Sequence, residues 1–190
     1  MDGDLEYVFL IPLLFGFGAN VASAFTAAYS RRWGERRGSL TSVLLRDVLG
    51  VPFWAAGFLL AAAVSSPPLF ASSAATTTAG WVLIAAGGAV IVVALASIRL
   101  KSVRPSAADG LVRDGLYGRV RHPIHAGAII EFCGLALVAP SRSLVLACGL
   151  GIAWLLAQTR AEEADLLQRM PSYRSYMAEV PCLLPRLRSS

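Results

Sequence analysis

"VLGVPFWAAGFLLAAAVSSPPLFASSAATTTAGWVLIAAGGAVIVVALASI", residues 48–98, contains no Asp, Glu, Lys, Arg or His. A helix crosses a bilayer with about 20 apolar residues, so this run is too long for one span. "SSPPLFASSAATTT", 65–78, divides it, because Pro67, Pro68 and the Ser/Thr cluster interrupt a helix. Two spans are expected, near 46–64 and 79–98.

Working outward, residues 7–30 are also free of charge and long enough to cross. The preceding "MDGDLEY" is acidic where a secretory leader is basic, so this first segment is expected to stay as a span. "RRWGERR", 31–37, reads as a basic loop. Beyond 98 a polar connector leads to an apolar hairpin, 124–139 and 144–158, joined by "PSRS". Each arm is short for a full crossing. The expected fold is all-α and polytopic, with about five transmembrane helices, a C-terminal helical hairpin and a cytoplasmic cofactor pocket. Residues 1–105 form an N-terminal three-span region and 106–190 a C-terminal core. Five spans put the basic segments 31–37, 99–121 and 160–188 on one face, which the positive-inside rule makes cytoplasmic, with the N-terminus outside. Arg142 is the exception.

Composition agrees. The chain of 190 residues is 56% hydrophobic and only 15% charged, against about a quarter charged in soluble domains. The net charge of +5 is carried by arginine, with Lys101 the sole lysine. Cytoplasmic loops of a membrane protein explain this better than nucleic-acid binding, which is set aside. Cys133, Cys148 and Cys182 have neither disulfide-framework nor zinc spacing, and no metal is expected. The Ala- and Arg-rich, lysine-poor composition points to a GC-rich bacterium, and the expected location of the spans is a bacterial inner membrane.

The scarce polar groups gather at two places, "DGLVRDGLYGRVRHPIHAG", 109–127, and "QTRAEEADLL", 158–167. A hairpin brings these together on one face, beside lipid. Pro123 reads as the first helical position. Ahead of it, backbone N–H groups and Arg121 favour an anion such as a carboxylate. Gln158 and Glu162 share a helix face, as do Thr159 and Glu163, while Arg160 points elsewhere. Glu131 falls about two turns into an apolar helix, and an intramembrane acid is a functional candidate by default. For each of these groups a plain alternative stands: arginines flanking a span, a solvated juxtamembrane helix, or a structural acid. Asn20 reads as a packing hydrogen bond.

"DGLVRDGLYGRVRHPIHAG", "EEADLL" and the tail "YRSYMAEVPCLLP", 173–185, in this order and spacing, resemble the isoprenylcysteine carboxyl methyltransferase family and its bacterial relatives, a group that includes phospholipid N-methyltransferases. The resemblance covers about 109–185. It implies S-adenosylmethionine as methyl donor, in a pocket walled by the connector, the last two spans and the tail. By position, the cofactor contacts it implies are Asp109, Gly110, Leu111, Val112, Tyr117, Arg121, His122, Pro123, Ile124, His125 and Glu162. Two positions depart from the pattern: His125 replaces a tyrosine, and is expected neutral, and Gln158 replaces an arginine, with Arg160 two residues on.

The resemblance implies a lipid-like or prenylated carboxylate as acceptor, with Gln158 and Arg160 against the substrate. Glu131, Arg160 and Glu163 are the catalytic candidates; an amine acceptor must first lose a proton, which a nearby acid such as Glu131 or Glu163 would take. The alternatives are a phospholipid N-methyltransferase, a membrane reductase using NADPH, and a non-catalytic membrane binding protein. The sequence leaves acceptor and oligomeric state open.

Overall fold

Ser73 and Thr76 begin a helix where a break was expected. In the computed structural model, which describes residues 6–98 and 110–186, Ser73 Oγ accepts from the Thr76 N–H at 3.1 Å and Thr76 Oγ1 accepts from the Ser73 N–H at 2.9 Å. This reciprocal cap satisfies donors that a helix start leaves without partners. The helix therefore starts at Ala74 rather than 79.

The described elements are helical: α1 Leu10–Ser23, α2 Thr26–Trp33, α3 Glu35–Val43, a π-helical turn Leu44–Gly50, α4 Val51–Ala63, α5 Ala74–Ile98, a 3-10 turn Gly115–Gly118, α6 Pro123–Val138, α7 Arg142–Arg169 and α8 Tyr173–Glu179. By length and composition three helices among the described residues can cross a membrane: Glu35–Ala63, Ala74–Ile98 and Arg142–Arg169. The bent pair α1–α2 makes a fourth. α6, with 16 residues, is apolar but only about 24 Å long, short of the roughly 30 Å hydrocarbon layer.

Three expectations need correction. The first segment is not one straight span: α1 and α2 meet at 63°. The freed start of α2 is capped from a distance, by Asp165 Oδ1 accepting the Ala27 N–H at 2.8 Å. "RRWGERR" is not a loop but two helix ends about Gly34, whose φ of 82° makes the turn that glycine tolerates. The last span does not stop at 158. α7 runs on to Arg169, because 159–169 holds good helix formers and no Gly or Pro.

α5 and α6 pack antiparallel along their lengths. Gly80 meets Gly134 and Gly87 meets Gly127, so the backbones touch directly. α1, α4 and α7 enclose the main core of Phe9, Leu13, Phe17, Ala61, Leu144, Ala147 and Cys148. Phe17 stacks on Trp154 with centroids 4.5 Å apart. At one end of the bundle the 64–73 loop meets the PSRS turn through Leu69 N–H to Pro140 O, 2.8 Å, and Arg142 N–H to Pro67 O, 2.9 Å. Arg142, the cation out of place, pairs there with Glu6. The opposite end collects 31–37, the Gly115–Gly118 turn and the tail.

Candidate functional site at the start of α6

Pro123 does open α6, at the first helical position. The N–H groups ahead of it are not left for an anion, however. Arg121 N–H donates to Pro181 O at 2.9 Å and His122 N–H to Cys182 O at 3.0 Å, so the tail covers this strip of backbone. The Arg121 side chain completes the lock. Its Nε donates to Glu163 Oε1 at 2.8 Å, and its Nη1 donates to Met177 O at 3.0 Å and to Val180 O.

The two histidines stack with centroids 5.3 Å apart and ring planes at 9°. They face the C-terminal half of α7. His122 Nδ1 is 3.5 Å from Glu162 Oε2, and its Nε2 is 3.2 Å from Glu163 Oε1. Burial pulls the His122 imidazole down, but hydrogen bonds and charge from Glu162 and Glu163 outweigh it and push the group up to about 9. His122 is therefore an imidazolium at neutral pH. His125 Nδ1 is 2.8 Å from Thr159 Oγ1, and its Nε2 is 3.7 Å from Glu162 Oε1. Gln158 donates to Glu162 Oε1 at 2.9 Å, as the i,i+4 spacing anticipated, while its own Oε1 is buried with no hydrogen-bond partner among the described residues. Burial, and then the charge of Glu162, raise the Tyr117 phenol well above its ordinary value, so at neutral pH it keeps its proton and can donate.

These groups open into a cavity of about 860 Å³. Gly110, Leu111, Val112, Tyr117, Arg121, His122, Ile124, His125, Gln158 and Glu162 line it, as does Glu131. Glu131 lies six residues, or about 9 Å, further along α6 than His125. It has no hydrogen bond or ion pair among the described residues, and its side chain rests on Gly87 and Gly88 of α5. Pro123 is buried behind the wall. Glu163 is committed to Arg121 and His122 and does not line the cavity. Arg160 is exposed and lies away from it. Asp109 lies outside the described residues.

More than half of the wall comes from residues the sequence did not single out as a site. Asn20, Arg46, Asp47 and Trp54 stand on the N-terminal helices, and Ile91, Leu95 and Ile98 on α5. The one available signal was Arg46–Asp47, a charged pair at the edge of an apolar run. Tyr173 and Tyr176 of α8 add to the lining. The tyrosine hydroxyl of Tyr176 donates to Tyr117 O. Two donor sets have ligand atoms within 4.8 Å of one another, His122–His125–Glu162 and His122–Glu163–Cys182. The carboxylates of both already pair with His122.

Long apolar helices around a cavity that carries a polar cluster define an all-α polytopic membrane protein. Residues 75–172, just over half of the chain, match the phospholipid methyltransferase family, and the chain belongs to that family. It is a membrane methyltransferase, in the same group as the isoprenylcysteine enzymes its motifs resemble. The match runs from α5 through the end of α7, so it takes in the paired glycines, the histidines and the acidic pair. No curated protein and no solved structure matches the chain.

Proposed function

We propose that the protein moves a methyl group from S-adenosylmethionine to the amine of a membrane lipid, and that the α6–α7 cavity is where donor and acceptor meet. The observation that carries this reading is a single cavity with two unlike ends. One holds the His122–His125–Glu162 cluster near water; the other holds Glu131, Phe132, Trp54 and Trp154 among apolar helices.

The donor's chemistry fits the first end. Glu162 and Tyr117 suit ribose hydroxyls or an ammonium group, and Leu111, Val112 and Ile124 suit a flat base. Gly110, His125 and the expected contact Asp109 complete the proposed donor site, with Arg121, His122 and Pro123 holding its frame. When bound, S-adenosylmethionine supplies an electrophilic methyl on a sulfonium; the chain supplies alignment and exclusion of water. The charges of Arg121, His122, Glu162 and Glu163 cancel, so a cationic donor meets no excess positive charge. The volume, near the upper end for small-molecule sites, leaves room for an acceptor headgroup as well.

Glu131 favours an amine over a carboxylate. Its carboxylate would pair with the acceptor's ammonium and take one N–H proton on Oε1 or Oε2, leaving the nitrogen lone pair for the methyl. It would repel a carboxylate, and Gln158 has already given an amide N–H to Glu162. A carboxylate acceptor, as in the isoprenylcysteine enzymes, is the second reading, and Arg46 on the cavity wall favours it. The basic end of the bundle is assigned to the cytoplasm, of a bacterial inner membrane, on the positive-inside rule.

The test uses purified protein in nanodiscs, S-adenosylhomocysteine calorimetry and transfer of labelled methyl to lipid. Wild type is expected to bind, His122→Ala to lose binding, and the label in lipid to resist mild base, as an N-methyl does and a methyl ester does not. Glu131→Gln is expected to lower turnover tenfold or more with S-adenosylhomocysteine affinity unchanged. Undiminished turnover removes the proton-acceptor role. Absence of binding sinks the donor assignment and moves the choice to a nicotinamide-dependent reductase or a non-catalytic binder.

A further inference from the structure

We propose that Asn20 selects the substitution state of the acceptor, its amide oxygen taking an N–H of an ammonium that is not yet fully methylated. This rests on reading the cavity as a site of amine methylation. Asn20 is 6% exposed, stands in α1 and lines the cavity. An asparagine in a span ordinarily bonds across to another helix. Here the side chain makes one hydrogen bond among the described residues, from Nδ2 to Gly16 O at 3.4 Å, one turn back in its own helix. A carbonyl can only accept, so the amide is turned with its nitrogen toward Gly16. Gly50, which ends the π-helical turn Leu44–Gly50, packs against that nitrogen: a β-carbon on Gly50 would stand 1.7 Å from it. π-helical insertions concentrate at functional sites. The amide oxygen of Asn20 is the end left without a partner among the described residues.

Two further observations point to an N–H donor as the ligand. First, Gln158 repeats the arrangement on α7. It is 5% exposed, lines the cavity, gives an amide N–H to Glu162 and has no hydrogen-bond partner for Oε1 among the described residues. The two amides also stand near one level. Phe17 stacks on Trp154 and the Ala27 N–H meets Asp165, so α1–α2 and α7 run in the same direction. From the stack, Asn20 lies three residues on, about 4.5 Å, and Gln158 four, about 6 Å. His125 bonds Thr159 beside Gln158, so this is the level proposed for the methyl donor. Second, both unmet atoms are neutral acceptors, and the acidic side chain of Glu131 lines the same cavity. A carboxylate has no hydrogen to give them. A primary ammonium has three N–H donors, each methyl removes one, and a quaternary ammonium has none. With Glu131 taking one proton, Asn20 and Gln158 hold the N–H groups that remain, and each round of methylation leaves fewer of them.

The experiment varies the N–H count at constant charge. Wild type, Asn20→Leu and Asn20→Asp are titrated in detergent at pH 7.5 with decylamine, N-methyldecylamine, N,N-dimethyldecylamine and decyltrimethylammonium, all of them cations at that pH. The readout is tryptophan emission, since Trp54 and Trp154 line the cavity. The unfolding midpoint checks each variant, and Asn20→Ala replaces Asn20→Leu if that protein does not fold. Wild type is expected to bind decylamine tenfold or more tighter than decyltrimethylammonium. Asn20→Leu is expected to lose most of that preference, with decyltrimethylammonium and S-adenosylhomocysteine unchanged, and Asn20→Asp, which keeps an acceptor oxygen, to retain it. The proposal falls if wild type binds the four amines alike, if Asn20→Leu keeps the preference, if it weakens all four equally, or if its affinity for S-adenosylhomocysteine falls in parallel. An Asn20-dependent preference without any methyl transfer to lipid keeps the N–H contact and sinks the methylation reading instead.

Discussion

Gly87 and Gly127 lie backbone to backbone: a β-carbon added to Gly87 would stand 2.5 Å from the Gly127 carbonyl oxygen, and one added to Gly127 would stand 2.8 Å from that of Gly87. Both distances are well inside contact, and the atom met is backbone, which cannot swing aside. Seven residues away on each helix, Gly80 and Gly134 repeat the arrangement. The pair of contacts holds α5 against α6 and places Glu131 on the cavity side of the seam. Gly87→Val is therefore expected to lower stability by about 1–3 kcal/mol, the usual cost of overpacking. Gly18→Ala, where a β-carbon meets nothing within 4 Å, is the matched control and should be neutral. Thermal unfolding in detergent measures both, and an unchanged midpoint for Gly87→Val would refute the close seam.

The coupling of His122 to two carboxylates gives stability a pH dependence. Its imidazole is raised from 6.5 to about 9 in the folded protein. The unfolded chain thus loses this proton first. The contribution is fully present below about pH 6.5 and disappears as pH rises through about 9. Its size is on the order of a few kcal/mol, from about 1.4 kcal/mol per unit of displacement. Unfolding midpoints measured from pH 6 to 10 should fall across this window in wild type and stay flatter in His122→Gln. Parallel curves for the two proteins would show that His122 is not the titrating group.

How far the chain could be read depended on the range of the contact involved. The start of α6 at Pro123, the Gln158–Glu162 pair and the meeting of the histidines with the acidic pair are local spacing or hairpin geometry, and each stands in the structure. The bend after Ser23 depends on Asp165, far away in the chain, so no local signal marks it. The cap at Ser73–Thr76 uses the residues that otherwise signal a break, and only the side-chain bonds decide between the two. Arg46–Asp47 was visible as a charged pair at the edge of an apolar run, but that it lines the cavity depends on which helices enclose it. The tail's grip on the N–H groups of Arg121 and His122 was hidden for the same reason.

Arg121 joins three elements, so its loss should be felt most in the tail. Its side chain is 9% exposed and that of Glu163 is 14% exposed, which makes this a largely buried pair. Removing one partner of such a pair costs about 3–5 kcal/mol, because the other charge is left buried. Arg121→Ala is expected to cost near the lower end of that range and to free the segment around Tyr173–Glu179, where Met177 and Val180 lose their donor. Arg121→Lys keeps the charge but not the fork of N–H groups, and should recover only part. Hydrogen exchange across the tail distinguishes this from uniform destabilisation: protection lost equally in α1 and α8 would refute a local clamp.

His125 stands where the resembling enzymes have tyrosine, and its contacts indicate what the histidine adds. Its ring lies parallel to that of His122, one nitrogen reaches Thr159 and the other approaches Glu162. His125→Phe keeps a flat ring against His122 but removes both polar contacts. Glu162 then retains His122 and Gln158, so the acidic pair stays ordered and the fold should survive. Under the proposed donor site, S-adenosylhomocysteine affinity is expected to fall about tenfold, equivalent to about 1.4 kcal/mol, within the range for losing a hydrogen bond near a charged group. His125→Tyr restores a polar ring edge, and should recover more affinity than His125→Phe if the hydroxyl meets the ligand or Glu162. Calorimetry on the three proteins at pH 7.5 decides the matter. Equal affinities would mean that His125 serves the packing of α6 on α7 and has no contact with the donor.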